Sequence, residues 1–360
     1  MQGYFCRVHP HLINMKYILH RSVFLSVATV MLAIVPYAGI SQATNFNEPV
    51  LNTPGTPAPV QQGDFAIAVI PDTQYYLAQA QLGGTFDMFK AQIEWIRKNQ
   101  VKENIAYVAH LGDITEHGDN PVTARSEWYL AKTALYGLEN PVSIPYGLTV
   151  GNHDQFPAEY PVKGTTGFYN YYFGVKHFEG RPYYGGHYGA NNDSHYDLFS
   201  AGGREFIVLF LEFDSHNEDQ VGMYGWANEV LQKYASRKAI IVSHSILHFN
   251  PAKGTNTPQA PFNAQGTAIY EALKGNSNIF MMLSGHVGDN GEGYRADVYN
   301  GHTVKTFLSD YQSRPDGGHG LMRLYRFSVK KNELSVRTFS PYFNEEEKDG
   351  DSQFTVPLFE

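Results

Sequence analysis

Five short stretches carry side chains suited to one kind of chemistry. They are Pro71-Asp72-Thr73-Gln74, Gly112-Asp113, Gly151-Asn152-His153-Asp154, Ser243-His244 and Ser284-Gly285-His286. Carboxylate, amide oxygen and imidazole are ligands for hard or borderline divalent cations. An imidazole next to a carboxylate can also move a proton near neutral pH. Each stretch alone has a plain explanation, because Gly-Asp and Gly-Asn-His-Asp suit ordinary turns. The joint order, with glycines where the backbone must turn sharply, points instead to a shared metal site.

Something must bring these stretches together. Each follows an apolar run of strand length, at 65–70, 105–108, 144–150, 239–242 and 279–283. Helical periodicity fills the gaps. Residues 85–100 place Phe86, Phe89, Ile93 and Ile96 on one face, and 123–138 do the same with Trp128, Leu130, Leu135 and Leu138. Further helices are predicted at 222–234 and 264–273. Buried strands alternating with amphipathic helices imply a layered α/β fold. In such folds ligands bind beyond the carboxyl ends of the strands, where all five stretches fall. Residues 155–203, rich in Gly, Tyr, His and Asn, break the pattern and predict loops with short irregular strands. They are either a functional loop or a packed excursion. After residue 294, runs with a period near two (303–308, 321–329, 334–339, 354–358) predict antiparallel strands. The expected fold class is therefore α/β, with two facing mixed β-sheets flanked by helices in one domain.

The bulk composition sets outer bounds. Of 360 residues, 42 % are hydrophobic and 17 % charged, a globular balance. Lys16, His20 and Arg21 precede an apolar run, 23–35, that ends in Pro36 and Gly39, and Ser41-Gln42-Ala43 then offers small residues for cleavage. Residues 1–43 read as a secretory signal peptide, with Met15 an alternative start. The run falls short of a spanning helix, so no stable membrane span is expected after cleavage, and the mature chain is expected to be secreted or periplasmic. Residues 44–63, with Pro49, Pro54, Pro57 and Pro59, read as an extended linker, and the domain as 64–360. Cleavage would move the formal charge from −8 to −11 by removing Arg7, Lys16 and Arg21. An acidic chain is a poor nucleic-acid scaffold. The one cysteine, Cys6, lies in the removed part, which leaves neither a disulfide framework nor a thiolate zinc site.

Asp72-Xaa-Gln74, Gly112-Asp113, Gly151-Asn152-His153-Asp154, a lone His244 after a strand and Gly285-His286 occur in the order seen in calcineurin-like metallophosphoesterases. The sequence resembles that family from about residue 64 onward. It resembles most an exported bacterial branch with Pro-Asp-Thr-Gln near the start and Asp310-Tyr-Gln312 and Ser340-Pro-Tyr342 downstream. The resemblance implies a metal-dependent hydrolase of phosphate esters with two divalent ions and a metal-bound hydroxide. Asp113 would bridge the ions. Asn152, His244 and His286 would join it on one, expected to be Zn, Fe or Mn. Asp72 would lie on the other. His153 would serve the leaving oxygen, with Asp154 holding its orientation. Two departures from the commoner motif stand out: Gln74 and Gly288 occupy positions where imidazoles are usual. The first half-site is left with Asp72, Asp113 and the amide oxygen of Gln74. This weaker set favours Mn, Mg or Ca. Asp289 could complete it, while His117 reads as a supporting residue. The expected substrate is a small phosphoester, monoester or diester, with Tyr75, Tyr76, Tyr311 and the 164–195 region as candidate cleft walls. The alternative is a catalytically silent binding protein of the same fold.

Overall fold

The computed structural model describes residues 53–78, 83–157, 165–214 and 220–359, which fall in one compact unit. The predicted signal peptide lies outside the described residues. Two seven-stranded sheets form the centre. One runs Glu292–Tyr299, His302–Ser309, Ile279–Ser284, Lys238–Ser243, Arg204–Leu211, His195–Ala201, Tyr184–His187 in spatial order. The other is built on Phe65–Ile70, flanked by parallel Ile105–His110 on one side and antiparallel Met322–Ser328 on the other.

The period of two along each strand explains the layering. Phe65, Ile67 and Val69 join Phe206, Val208, Phe210, Ile240 and Val242 in a core shared by both sheets. Their neighbours Ala66, Ala68 and Ile70 point outward, against helices Phe86–Glu103 and Ala124–Leu135. Ile207, Leu209, Ala239 and Ile241 point away on the far side, against helices Gln220–Lys233 and Ala264–Leu273. The result is a helix–sheet–sheet–helix sandwich, the expected fold class. Both faces of each central strand are buried, which is why these strands read as continuous apolar runs.

Three readings change. The run at 303–308 is not purely antiparallel: His302–Ser309 pairs antiparallel with Glu292–Tyr299 but parallel with Ile279–Ser284. Glu292–Tyr299 itself was not foreseen as a strand. It is an edge strand that contains Gly293 and exposes Val298, so its periodicity is faint. In the 155–203 region, Gly167–Phe173 is a helix and His195–Ala201 a regular strand, and Tyr169, Phe173, Tyr183 and Tyr196 are buried. Those rings pack the interior and do not wall a cleft. Within the stretch read as a linker, Thr56–Pro57 pairs with Val142–Ser143, and the Gln61 backbone N–H donates to Asn104 Oδ1. Its described part is extended but held against the domain.

Candidate metal centre

The carboxyl ends of the parallel strands share one edge, and the loops leaving them supply the site. The backbone there has little room. A Cβ on Gly151 would lie 2.2 Å from Asp113 Oδ1, one on Gly285 2.2 Å from Asp72 Oδ1, and one on Gly112 2.8 Å from His244 Nδ1. These glycines let three loops close onto ligand side chains. Asp113 (φ 45°) and His286 (φ 78°) sit in the left-handed region without being glycine. Strain at such positions, about 1–3 kcal/mol each, persists where the surrounding structure imposes it.

Four ligand atoms converge. His244 Nε2 lies 3.2 Å from Asp113 Oδ2, 3.1 Å from Asn152 Oδ1 and 3.2 Å from His286 Nδ1. His244 Nδ1 is 2.8 Å from the Leu111 carbonyl, which takes its N–H and leaves Nε2 as a lone pair facing the cluster. Buried acceptors that face one another need a cation or protons between them. Ligand atoms about 3 Å apart match the shell of one small ion. The donor set of two imidazoles, one amide oxygen and one carboxylate suits a borderline divalent metal. Thus Asp113, Asn152, His244 and His286, four of the sequence-derived candidates, are brought together.

Asp72 and Gln74 also border the cluster. Asp72 is buried, its carboxylate accepting the His286 backbone N–H at 3.2 Å and lying 4.0 Å from His244 Nε2. Burial, then repulsion from Asp310 and Asp113, pushes its pKa well up. The Gln74 amide nitrogen is 3.1 Å from Asp113 Oδ2 and 2.6 Å from Gln312 Oε1, and Gln74 Oε1 is buried without a hydrogen bond. Asp289 is exposed. A Cβ on Gly288 would meet Ser313 Oγ at 2.5 Å and Gln312 Cγ at 2.9 Å, so side chains from the next strand end fill the space of the usual imidazole. That strand end also brings Asp310, a fully buried carboxylate outside the predicted ligand set. The signal was present: Asp310 follows His302–Ser309 just as the other ligands follow their strands.

His153 stands at the edge of the cluster, its backbone N–H donating to Asp113 Oδ1 at 2.9 Å. Its Nδ1 is 3.0 Å from the Glu116 carbonyl and 3.4 Å from Glu116 Oε2. Burial opposes the charge on this ring, but Asp113 and Glu116 outweigh it and lift the pKa to about 9. Asp154 takes a different place from the one expected. Its carboxylate accepts the backbone N–H groups of Gly151, Ile114 and Thr115 at 2.9, 3.2 and 3.0 Å. It ties two ligand loops together, and Glu116 holds the ring. Among the candidate wall residues, Tyr75 is half-buried within the field of Glu116 and Asp113, whereas Tyr76 and Tyr311 are buried and bonded to Gly320 and Glu292. His117 bonds to Glu127 at 2.6 Å.

A family model described as calcineurin-like phosphoesterase matches residues 65–312. The protein YvnB of Bacillus subtilis (strain 168), itself uncharacterised, is 35 % identical over 282 residues, 75 % of this chain. The chain spans only 19 % of that relative's length. Among solved structures, the purple acid phosphatase PPD1 from yellow lupin (Lupinus luteus) seeds superposes with a TM-score of 0.52 at 13 % identity, covering 84 % of this chain and 55 % of that one. It is a likeness of fold. GAP50, titled the anchor in the inner membrane complex of Plasmodium, gives a TM-score of 0.47 at 12 % identity, over 83 % of this chain and 89 % of that one.

Proposed function

The chain belongs to the calcineurin-like phosphoesterase family, and on that premise we propose that it hydrolyses a small phosphate ester, monoester or diester, with two divalent metal ions held around Asp113. The observation that carries this reading is the convergence of Asp113, Asn152, His244 and His286 at about 3 Å spacing. Asp72 and Gln74 would hold the second ion. When bound, two divalent ions would supply charge for the phosphoryl oxygens and acidify a water.

The protein's own groups do the rest. His153, whose backbone N–H is bonded to Asp113 Oδ1, stands at the edge of the cluster and can deliver a proton to the leaving oxygen. Glu116 fixes its Nδ1, which leaves Nε2 for the substrate. Asp154 is a positioning residue, since it binds the backbone on both sides of the cluster. We read residues 1–43 as a signal peptide and the mature protein as secreted or periplasmic. Among the described residues no helix is long and apolar enough to cross a membrane. The net charge of −8 favours a small substrate over a polyanion.

The test is hydrolysis of an aryl phosphate monoester and a bis-aryl diester by metal-free protein reconstituted with Mn²⁺ or Zn²⁺. Turnover with metal, lost in Asn152→Ala and His244→Ala, supports the proposal. No turnover with any metal favours a silent binding protein, the reading that the missing imidazoles at 74 and 288 would otherwise invite.

A further inference from the structure

Asp72, Asp113 and Asp310 are all buried, and hydrogen bonds link Asp310 to Asp113: Asp310 accepts the Gln312 backbone N–H, and the Gln312 side-chain oxygen accepts the Gln74 amide that also donates to Asp113 Oδ2. Asp310 is the charge that acts most strongly on Asp72, and Asp113 comes next. Among the described residues no lysine or arginine forms an ion pair with any of the three, and His244 is the partner of Asp72 and Asp113. Asp310 Oδ1 accepts the Gln312 backbone N–H at 2.9 Å, while Oδ2 is buried without a hydrogen bond. Gln74 Oε1, on the amide that donates to Asp113 Oδ2 and Gln312 Oε1, is likewise buried and unpartnered. A buried acceptor oxygen left without a donor is costly unless a proton or a cation faces it. Two such orphan oxygens at the half-site that lacks its usual imidazoles share a single economical explanation.

We propose that Asp310 is a ligand of the second metal ion, and that it makes this half-site a dedicated oxygen site for a hard cation such as Mn²⁺, Mg²⁺ or Ca²⁺. The inference rests on the reading of the centre as a two-metal site. It changes one expectation. A half-site with Asp72 and a shared Asp113 alone would be weak, but a third carboxylate and an amide oxygen give it charge enough to bind firmly. Hard oxygen donors also turn it away from Zn²⁺. The placement has a structural logic. Gln312 and Ser313 fill the space at Gly288, and Asp310 belongs to the same strand end.

The test counts metal, so it does not depend on turnover. Metal-free protein is titrated with Mn²⁺, bound metal is counted per chain, and melting is followed with and without Mn²⁺. The wild type should hold two equivalents. Asp310→Asn should lose one of them, and His244→Ala the other. Without metal, Asp310→Asn should melt no lower than the wild type, because it removes a buried repulsion. Its gain in melting temperature on adding Mn²⁺ should be smaller. Two equivalents retained by Asp310→Asn with unchanged affinity would overturn the proposal. So would metal-free Asp310→Asn that melts well below the wild type or fails to fold, since that marks a structural role. If the metal pattern holds but neither phosphoester is hydrolysed, it is the proposed function that fails and this site that stands.

Discussion

His153 and Gly285 show what single residues contribute. The ring of His153 is pinned by Glu116 and held in the field of Asp113, so its contribution should lie in the chemical step. Changing His153 to Ala should lower kcat about 10²- to 10⁴-fold with little change in KM. The loss should be larger for an alkyl leaving group, which needs the proton, than for a nitrophenyl one, which does not. Equal losses for both would argue against proton delivery. Gly285 acts through space it leaves empty. An added Cβ would lie 2.2 Å from Asp72 Oδ1, so Gly285→Ala must displace that carboxylate. We expect a cost of about 1–3 kcal/mol in thermal melts and loss of one bound Mn²⁺ equivalent. Retention of both equivalents would show that Asp72 is not held as described. The candidate ligands were legible from residue type and position. The partner of His153 was not, because Glu116 is 37 residues away in sequence and only the fold brings it to the ring, while the adjacent Asp154 turns to the backbone.

At the scale of elements, position after a strand was the informative signal. It located Asp72, Asp113, Asn152, His244 and His286, and applied once more it would have located Asp310. That strand, His302–Ser309, is parallel to Ile279–Ser284 on one side and antiparallel to Glu292–Tyr299 on the other. Alternation in the sequence reports which face is buried and says nothing of which neighbour is parallel. The Tyr-rich segment misled for a related reason, since composition cannot tell a packed ring from a cleft wall. It conceals a network: Glu139, fully buried, takes the His177 ring at 2.7 Å, Arg181 at 3.1 Å and the Tyr146 hydroxyl, linking helix Val175–Phe178 to strand Tyr146–Leu148. Burial opposes the Glu139 charge, but His177 and Arg181 outweigh it and hold its pKa below the ordinary glutamate value. A carboxylate depressed in the folded state stabilises above its unfolded pKa and loses that contribution as pH falls. The wild type should therefore lose stability progressively below about pH 4.5. Glu139→Gln should be about 3–5 kcal/mol less stable at pH 7 and should show a flatter acid limb. Parallel pH profiles for the two proteins would contradict this.

For the whole molecule, the sandwich explains why the ligands come from so many separate stretches. Each sheet presents its parallel strand ends at one edge, and the shared core of Phe65, Phe206, Val208 and Ile240 fixes the two edges in register. Asp72, Asp113 and Asn152 come from one sheet, and His244, His286 and Asp310 from the other. The centre exists only where both sheets meet, so it depends on the complete domain, and alternating strands and helices made that architecture readable in advance. The central claim is that this shared edge holds metal to cleave phosphate esters. The most direct measurement is turnover and bound metal, read on the same samples as metal-free protein is titrated with Mn²⁺, beside Asp113→Asn. Turnover should rise with metal bound per chain in the wild type, while Asp113→Asn should bind less metal and remain inactive throughout. Hydrolysis that proceeds equally without metal, or that survives in Asp113→Asn, would contradict it.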